Sequence, residues 1–372
     1  MSAARNRDRR VYLHSHPLLF ALLAATRHRP VTRLGGTVLA HSRTAFVDGL
    51  TRVALDRTAD GTTGGAAGRL TGGGLLFDQE GDAHRGTRRT LADSLSADGV
   101  ARLRPIWMSV LDRRLASLAS PGGRIDLVDV TAELAGTTAA ALLNVPVDGR
   151  TLADAARAAA AAAAREHLPG LPRPWARRAA RAAADRLNAL LTPVLPGAAP
   201  SPRPDGLAAM LAVAAINTTV AALPRAAAWC ADAELWDHAE SHRDALTAEL
   251  LRVTAPTPLL PRVAAEPGKI DGCPVRGGDR LILIARHAAE AHHRDPSPEN
   301  PAPPHIAQLV FGAGPHACPG ARLAREQIAD ALTALAPHRP VVIKARADRH
   351  SALPGWSSLI IQAGEMPPGE SS

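Results

Sequence analysis

Apolar residues recur with helical spacing over most of this chain. The periodicity predicts helices over the segments 91–118, 130–143, 152–167, 176–191, 207–230, 233–253 and 321–335. The first of these is expected to break near Pro105, because proline removes a backbone donor. The third is almost polyalanine, which favours helix by propensity alone. The pattern predicts a mainly helical fold.

A few short segments have the pattern of strands. They are 36–41, which is followed by a helix over 45–55, then 261–264, 280–285, and a final pair, 341–345 and 359–362. Proline-rich breaks at 169–174 and 193–204 are short for domain linkers, so they are expected to connect helices within one body. We predict a single domain over 1–372 with small sheets, and flexible ends at 1–15 and 364–372.

The apolar stretch 17–25 lies close to the start of the chain. It is shorter than the roughly 20 residues that a membrane-spanning helix needs. Arginines at positions 5, 7, 9 and 10 precede it, so it could imitate a signal peptide. A surface helix that ends before Arg27 is favoured, because nothing downstream resembles a secreted protein. We therefore predict no membrane span.

Composition narrows the possible functions. The 43 Lys+Arg exceed the 35 Asp+Glu, giving a formal charge of +8, but 4 Phe, 5 Trp and 1 Tyr are too few for a base-stacking surface. No basic helix carries base-reading neighbours, so we expect no nucleic-acid binding. Three cysteines, Cys230, Cys273 and Cys318, cannot form a disulfide framework, which indicates a reducing, cytoplasmic location.

The spacing of cysteine and histidine does not indicate a structural zinc site. Cys230, His238, His242 and the pair at 292–293 fit no common spacing for four zinc ligands, so these histidines are expected at the surface.

The most specific segment is 311–320, with the sequence FGAGPHACPG, directly before a predicted helix. Its glycines, Gly312, Gly314 and Gly320, allow a close approach of the backbone to a flat, bulky group. Cys318 precedes the start of the helix, where the helix dipole and free N–H groups favour thiolate over thiol. Such a thiolate is a candidate metal ligand; the alternative is an inert cysteine in a glycine-rich turn.

This segment resembles the heme-binding loop of the cytochrome P450 family, Phe-Gly-x-Gly-x-His/Arg-x-Cys-x-Gly, at every defined position, including Phe311 and Gly312. The resemblance implies the cytochrome P450 fold of the soluble bacterial kind, with heme b between a long central helix and the helix after the cysteine. It also implies that Cys318 is the axial thiolate ligand of the iron.

Three further motifs occur in the order that the family shows. His84 and Arg88, four apart on one helix face, resemble donors to the heme propionates, as do Arg262 and His316. Taken alone, each would be read as a solvated charge.

The second of the three motifs, which precedes Arg262 in the chain, is Glu-x-x-Arg, formed by Glu249 and Arg252, and it resembles the family's structural ion pair. The family's usual third partner, the arginine of Phe-x-x-x-Arg, is missing before the cysteine segment. Arg294 and Arg286 are the two candidates to replace it.

The central helix departs from the family pattern. Thr218 keeps the hydroxyl that hydrogen-bonds dioxygen in the family, but Asn217 stands where an acid is usual and Ala215 where glycine is usual. An amide has no accessible pKa for relaying protons, although it can orient a water. Helix-interior packing is the alternative role for Thr218.

The resemblance implies a heme-thiolate monooxygenase that oxidises a small molecule in bacterial secondary metabolism, with electrons from an external ferredoxin and its reductase. Two alternatives stay open. One is a heme-thiolate enzyme with atypical chemistry, such as oxidative coupling, peroxide use or a non-oxidative rearrangement. The other is a non-catalytic auxiliary homologue. Segments 64–74, 168–175 and 213–217 resemble the family's substrate-contact regions.

Overall fold

The computed structural model describes residues 2–65, 68, 73, 76–166, 174–192 and 206–364. The chain is mainly helical with small sheets, as predicted. Its helices are α1 (Ala3–Ser15), α2 (Pro17–Thr26), α3 (Arg43–Thr51), α4 (Gly81–Leu95), α5 (Ala97–Leu115), α6 (Leu127–Leu142), α7 (Gly149–Glu166), α8 (Pro174–Leu191), α9 (Gly206–Asp232), α10 (His238–Ser241), α11 (Arg243–Thr254), α12 (Ala285–Ala288), α13 (Pro304–Ala307) and α14 (Ala321–Leu335).

The strands form three small sheets. They are β1 (Val31–Leu34), β2 (Thr37–Ala40), β3 (Arg124–Asp126), β4 (Leu260–Val263), β5 (Gly268–Ile270), β6 (Cys273–Val275), β7 (Arg280–Leu283), β8 (Val341–Ala347) and β9 (Trp356–Gln362). The largest sheet has the order β1-β2-β7-β4, with β2 and β7 parallel. The predicted final pair, β8 and β9, is antiparallel, and β3 pairs with β9. Strands β1, β3, β5 and β6 have only three or four residues each, too few for a visible alternation.

Helix α9 lies at the centre of the main hydrophobic core, which also takes in residues of α5, α6, α7, α11 and α14. It is the one helix in the described ranges that is long and apolar enough to span a membrane by composition, and half of its most apolar window is buried inside the protein. Such burial is typical of the central helix of a globular domain. α9 continues beyond Pro224, as far as Asp232.

Two predicted helices have different boundaries in the structure. The break expected near Pro105 lies instead at Ser96, whose hydroxyl caps α5 by accepting the Gly99 N–H at 3.0 Å. Pro105 lies inside α5, and burial of neighbours such as Trp107 offsets the backbone hydrogen bond that it removes. The segment 233–253 is also not one helix: Glu234 takes a left-handed φ of 55°, and only α10 and α11 follow.

The start of the chain is ordered, contrary to the flexible end expected for 1–15. Residues 3–15 form α1, because Asp8 is buried and pairs with Arg225 of α9 at 2.7 Å. The surface helix predicted before Arg27 is confirmed as α2. The proline-rich breaks, most of 64–74 and of 168–175, and residues 365–372 of the expected C-terminal flexible end lie outside the described residues.

Candidate functional site

The cysteine segment forms a closed loop in front of α14. It runs through two single turns of 3₁₀ helix, Gln308–Phe311 and Gly314–His316. The Cys318 N–H donates to the Phe311 carbonyl at 2.8 Å. The Ala317 N–H donates to Gly314 at 3.0 Å. These bonds bring the two ends of the segment together and hold Cys318 just ahead of the helix.

Two glycines of the loop have a conformation that side chains rarely adopt. Gly312 has a φ of 80° and Gly314 a φ of 71°. A Cβ on Gly314 would also lie 2.8 Å from Cγ2 of Thr51 in α3. The backbone of this loop therefore requires glycine at two of the three predicted positions, Gly312 and Gly314.

The Cys318 thiol does not behave as the helix position alone predicts. Its side chain is exposed, whereas Cys230 is buried. Even so, surrounding protein raises the pKa of the Cys318 thiol, and this outweighs the Gly320 N–H and the charges of Arg88 and Arg325. The Gly320 N–H at the start of the helix does favour the thiolate, as the sequence predicts, but it does not by itself bring the pKa below the usual value; a bound metal ion deprotonates such a thiol.

The predicted pair on α4 lies against the cysteine segment. The imidazole rings of His84 and His316 stack with centroids 3.8 Å apart and planes at 28°. Arg88 Nη1 donates to the Ala317 carbonyl at 2.6 Å. The structure thus brings His84, Arg88 and His316 together beside Cys318. From α14, the Arg325 guanidinium reaches back to the loop and lies 4.5 Å from the Phe311 ring centre.

Arg262 on β4 belongs to the same group of cations. Burial and the charge of Arg57 lower its pKa to about 10. Its Nη1 donates to the Pro261 carbonyl at 2.8 Å, but its Nε has no hydrogen-bond partner among the described residues. The same is true of Nε2 of the buried His84. Unpaired buried donors of this kind favour an additional, acidic ligand.

Arg57 is a functional candidate that the sequence analysis missed. Its side chain is 9% exposed, and it forms an ion pair with Glu80 at 2.7 Å. The Asp56 N–H donates to the Val263 carbonyl at 2.9 Å, which places Arg57 beside the end of β4. No sequence motif marks Arg57. In the structure, Arg57 follows the isolated β-bridge between Leu55 and Ala264.

The positive charges of Arg57 and Arg88 disfavour a proton on either histidine of this group, and that of Arg262 disfavours a proton on His316. Burial, followed by Arg57 and His84, lowers the pKa of His316 to about 3. Burial, followed by Arg88 and Arg57, lowers the pKa of His84. A partner with two carboxylates would relieve this repulsion and accept from the unpaired Arg262 and His84 nitrogens. The two propionates of heme meet that requirement next to a cysteine ligand, so these residues fit heme.

Glu249 and Arg252 form a separate, fully buried ion pair. Both guanidinium-to-carboxylate hydrogen bonds measure 2.8 Å. Burial raises the pKa of Glu249, but Arg252 and the Ala302 N–H lower it more, so it lies below its usual value. Arg294 completes the group at 3.7 Å from Glu249.

Arg286, the other candidate for the third partner, points elsewhere. Its Nη1 donates to Tyr12 Oη and to the Val253 carbonyl, both at 2.8 Å. Of the two arginines, the structure therefore brings only Arg294 to the carboxylate of Glu249.

On α9, Asn217 uses its amide to bind backbone. Its Nδ2 donates to the Val213 carbonyl at 2.8 Å and to the Ala156 carbonyl of α7 at 3.4 Å. The Thr218 hydroxyl donates to the Ala214 carbonyl at 2.7 Å. No hydrogen bond between described residues joins Asn217 or Thr218 to the cysteine segment.

Within the described ranges, no group of three or more His, Cys, Asp or Glu side chains is arranged to hold a metal ion. A single cysteine ligand beside a cation cluster is a different arrangement, typical of heme ligation.

Comparison with known proteins supports this interpretation. The family model described as cytochrome P450 matches residues 244–336, which include Glu249, Arg252 and Cys318. No curated protein sequence matches the chain significantly.

Solved cytochrome P450 structures share the fold over almost the whole chain. CYP175A1 from Thermus thermophilus is 21% identical, with a TM-score of 0.75, and the alignment covers 95% of this chain and 96% of that one. Open EryK from S. erythraea is 21% identical, with a TM-score of 0.71, and the alignment covers 96% of this chain and 98% of that one. CYP164A2 from Mycobacterium smegmatis is 24% identical, with a TM-score of 0.71, and the alignment covers 93% of this chain and 99% of that one. The family match covers one segment, residues 244–336, and the structural matches show that the chain has the cytochrome P450 fold.

Proposed function

We propose that this chain is a heme-thiolate monooxygenase that inserts one oxygen atom into a small molecule and reduces the other to water. The observation that carries the proposal is the closed cysteine loop, whose Cys318 lies beside Arg88, His84 and His316. These 372 residues contain no flavin or iron–sulfur motif, and we propose that both electrons come from an external donor. We assign that role to a ferredoxin and its reductase.

Heme bound through a cysteine thiolate supplies dioxygen activation and O–O bond cleavage. The protein's part is to hold and orient the group. Arg57, His84, Arg88, Arg262 and His316 neutralise its carboxylates, and Arg88 also fixes the loop through the Ala317 carbonyl. The Thr218 hydroxyl donates its proton to the Ala214 carbonyl. The lone pairs of Thr218 Oγ1 are therefore available to accept a hydrogen bond from another group.

Support for the finer parts of the proposal comes from charge and from fold neighbours. The formal charge of +8 favours an acidic electron donor in the cytoplasm. A mutant of EryK has been solved in complex with erythromycin B. For this chain we therefore propose a small organic substrate and a place in bacterial secondary metabolism.

The test is the carbon monoxide difference spectrum of the reduced, heme-loaded protein. We expect the band of thiolate-ligated heme, and its loss in Cys318→Ser. Cys273→Ser, in the β5–β6 hairpin, is the matched control and should keep the band. Substrate turnover should require both a reductant and dioxygen. A wild-type spectrum without the thiolate band would overturn the proposal.

A second candidate keeps the heme but changes the reaction. Both amide hydrogens of Asn217 are directed at backbone carbonyls, so this side chain offers no proton to the substrate side. That arrangement favours a peroxide-driven reaction, in which hydrogen peroxide supplies both the oxygen atom and the protons. Turnover with hydrogen peroxide alone, without reductant, would support this candidate, whereas strict dependence on reductant and dioxygen would rule against it.

A further inference from the structure

Helix α2 is apolar on two opposite faces. Leu23 is buried and packs with Leu39 of β2 and with Ile284, which directly follows β7. On the other face, Leu18 is 86% exposed and Leu22 39% exposed. Ala21 and Ala25 are also exposed, so the solvent side carries a stripe at i, i+3, i+4 and i+7. A folded helix therefore presents an apolar stripe to solvent.

Unpaired cations lie at both ends of this stripe. Exposed arginines precede and follow α2 in the chain, at positions 9, 10, 27 and 29. Ion pairs near the start of the chain are made by Arg5, Arg7 and Arg33. Among the residues that the structure describes, no ion pair involves any of the four flanking arginines.

Acidic side chains are missing from the same surface. Between positions 2 and 34 the only acid in the sequence is Asp8, and it is buried against Arg225. The exposed part of this segment is therefore apolar in the middle and positive at its ends. An anionic partner with a nonpolar layer matches both properties.

We propose that the outer face of α2 docks the protein on an anionic phospholipid surface. Leu18 and Leu22 enter the boundary between head groups and acyl chains, and the flanking arginines bind lipid phosphates. The helix lies in the plane of the surface, since at 10 residues it is too short to cross a bilayer. This mode of attachment is independent of the oxidation chemistry.

The experiment is co-sedimentation of the heme-loaded protein with vesicles. We expect binding to phosphatidylcholine vesicles that contain phosphatidylglycerol and little binding to phosphatidylcholine alone. Added salt should weaken the binding, because the arginine contacts are screened. Leu18→Ser/Leu22→Ser and Arg27→Gln/Arg29→Gln should each weaken it by about tenfold.

A control variant removes two exposed apolar side chains elsewhere on the surface. Val341 and Ile343 on β8 are 44% and 46% exposed, and Val341→Ser/Ile343→Ser should bind like the wild type. Near-identical thermal unfolding of all variants checks their folding. Equal binding to both vesicle types, or equal loss in the β8 variant, would overturn the proposal. It would also fall if Leu18→Ser/Leu22→Ser instead abolished a dimer formed without lipid, because α2 would then be an interface between two copies.

Discussion

At the scale of single residues, the cation cluster is the feature on which the site depends. A buried arginine is costly unless an anion compensates it. Among the described residues, Arg57 pairs with one carboxylate, the largely exposed Glu80, while its charge adds to burial in lowering the pKa of Arg262, His84 and His316. Arg57 is therefore as well placed as the motif residues to hold a propionate.

Loss of Arg57 should weaken heme binding. We expect Arg57→Ala to speed heme release to an excess of apomyoglobin by about tenfold, as for a lost hydrogen bond to a charged group. Arg57→Lys should retain part of the effect. Arg52, which is 75% exposed and pairs with Asp48, provides the control: Arg52→Ala should release heme at the wild-type rate. A wild-type rate in Arg57→Ala would contradict the assignment.

At the scale of elements, one buried network attaches α1 to the body of the protein. Arg225 Nε donates to Asp8 at 2.7 Å, and its Nη2 donates to Tyr12 Oη at 2.6 Å. The Tyr12 hydroxyl in turn donates to the Thr254 carbonyl of α11. A single acid on α1 therefore compensates a guanidinium in the core.

Removal of that acid should be strongly destabilising. Asp8→Asn leaves Arg225 buried without a countercharge, at a cost of about 3–5 kcal/mol in the free energy of unfolding. Arg7→Gln breaks a pair with Asp232 that is partly exposed, and should cost at most about 1 kcal/mol. Urea denaturation measures both. Equal losses in the two variants would show that Asp8 holds no special position.

At the scale of the whole molecule, buried neutral histidines join the N-terminal part of the chain to the segment after β7. His41 Nδ1 and His287 Nδ1 are 2.8 Å apart, so one ring donates and the other accepts. Burial lowers the pKa of His41 to about 4 and that of His287 to about 2. Protonation of both rings would break this hydrogen bond.

The free energy of unfolding should therefore decrease as the pH is lowered below about 6.5. Between the unfolded pKa of 6.5 and about 4, the unfolded chain binds a proton at His41 that the folded protein does not, so folding is penalised as pH falls. At pH 5 the penalty from His41 is about 2 kcal/mol. Urea unfolding at several pH values should show this slope, reduced in His41→Gln and unchanged in a variant of the exposed His14. An unchanged slope in His41→Gln would contradict the assignment.

The sequence by itself determined the helical class and most helix positions, and it singled out Cys318 as the candidate heme ligand. These signals are local: the helical period of 207–230 predicts α9, and ten contiguous residues specify the cysteine loop, whose glycine conformations the backbone requires. The boundary at Ser96 was missed because a proline inside a predicted helix, Pro105, was the stronger local signal, although Ser96 caps the next helix.

Only the tertiary structure decided which distant side chains meet. Arg57 reaches the cation cluster because the Leu55–Ala264 bridge places it beside β4, and no spacing in the sequence encodes that pairing. Arg294 rather than Arg286 faces Glu249, because Arg286 is held by Tyr12 of α1. The pKa of Cys318 is likewise set by surrounding protein that the helix position does not reveal. Burial and long-range pairing are properties of the packed chain, which a local pattern cannot specify.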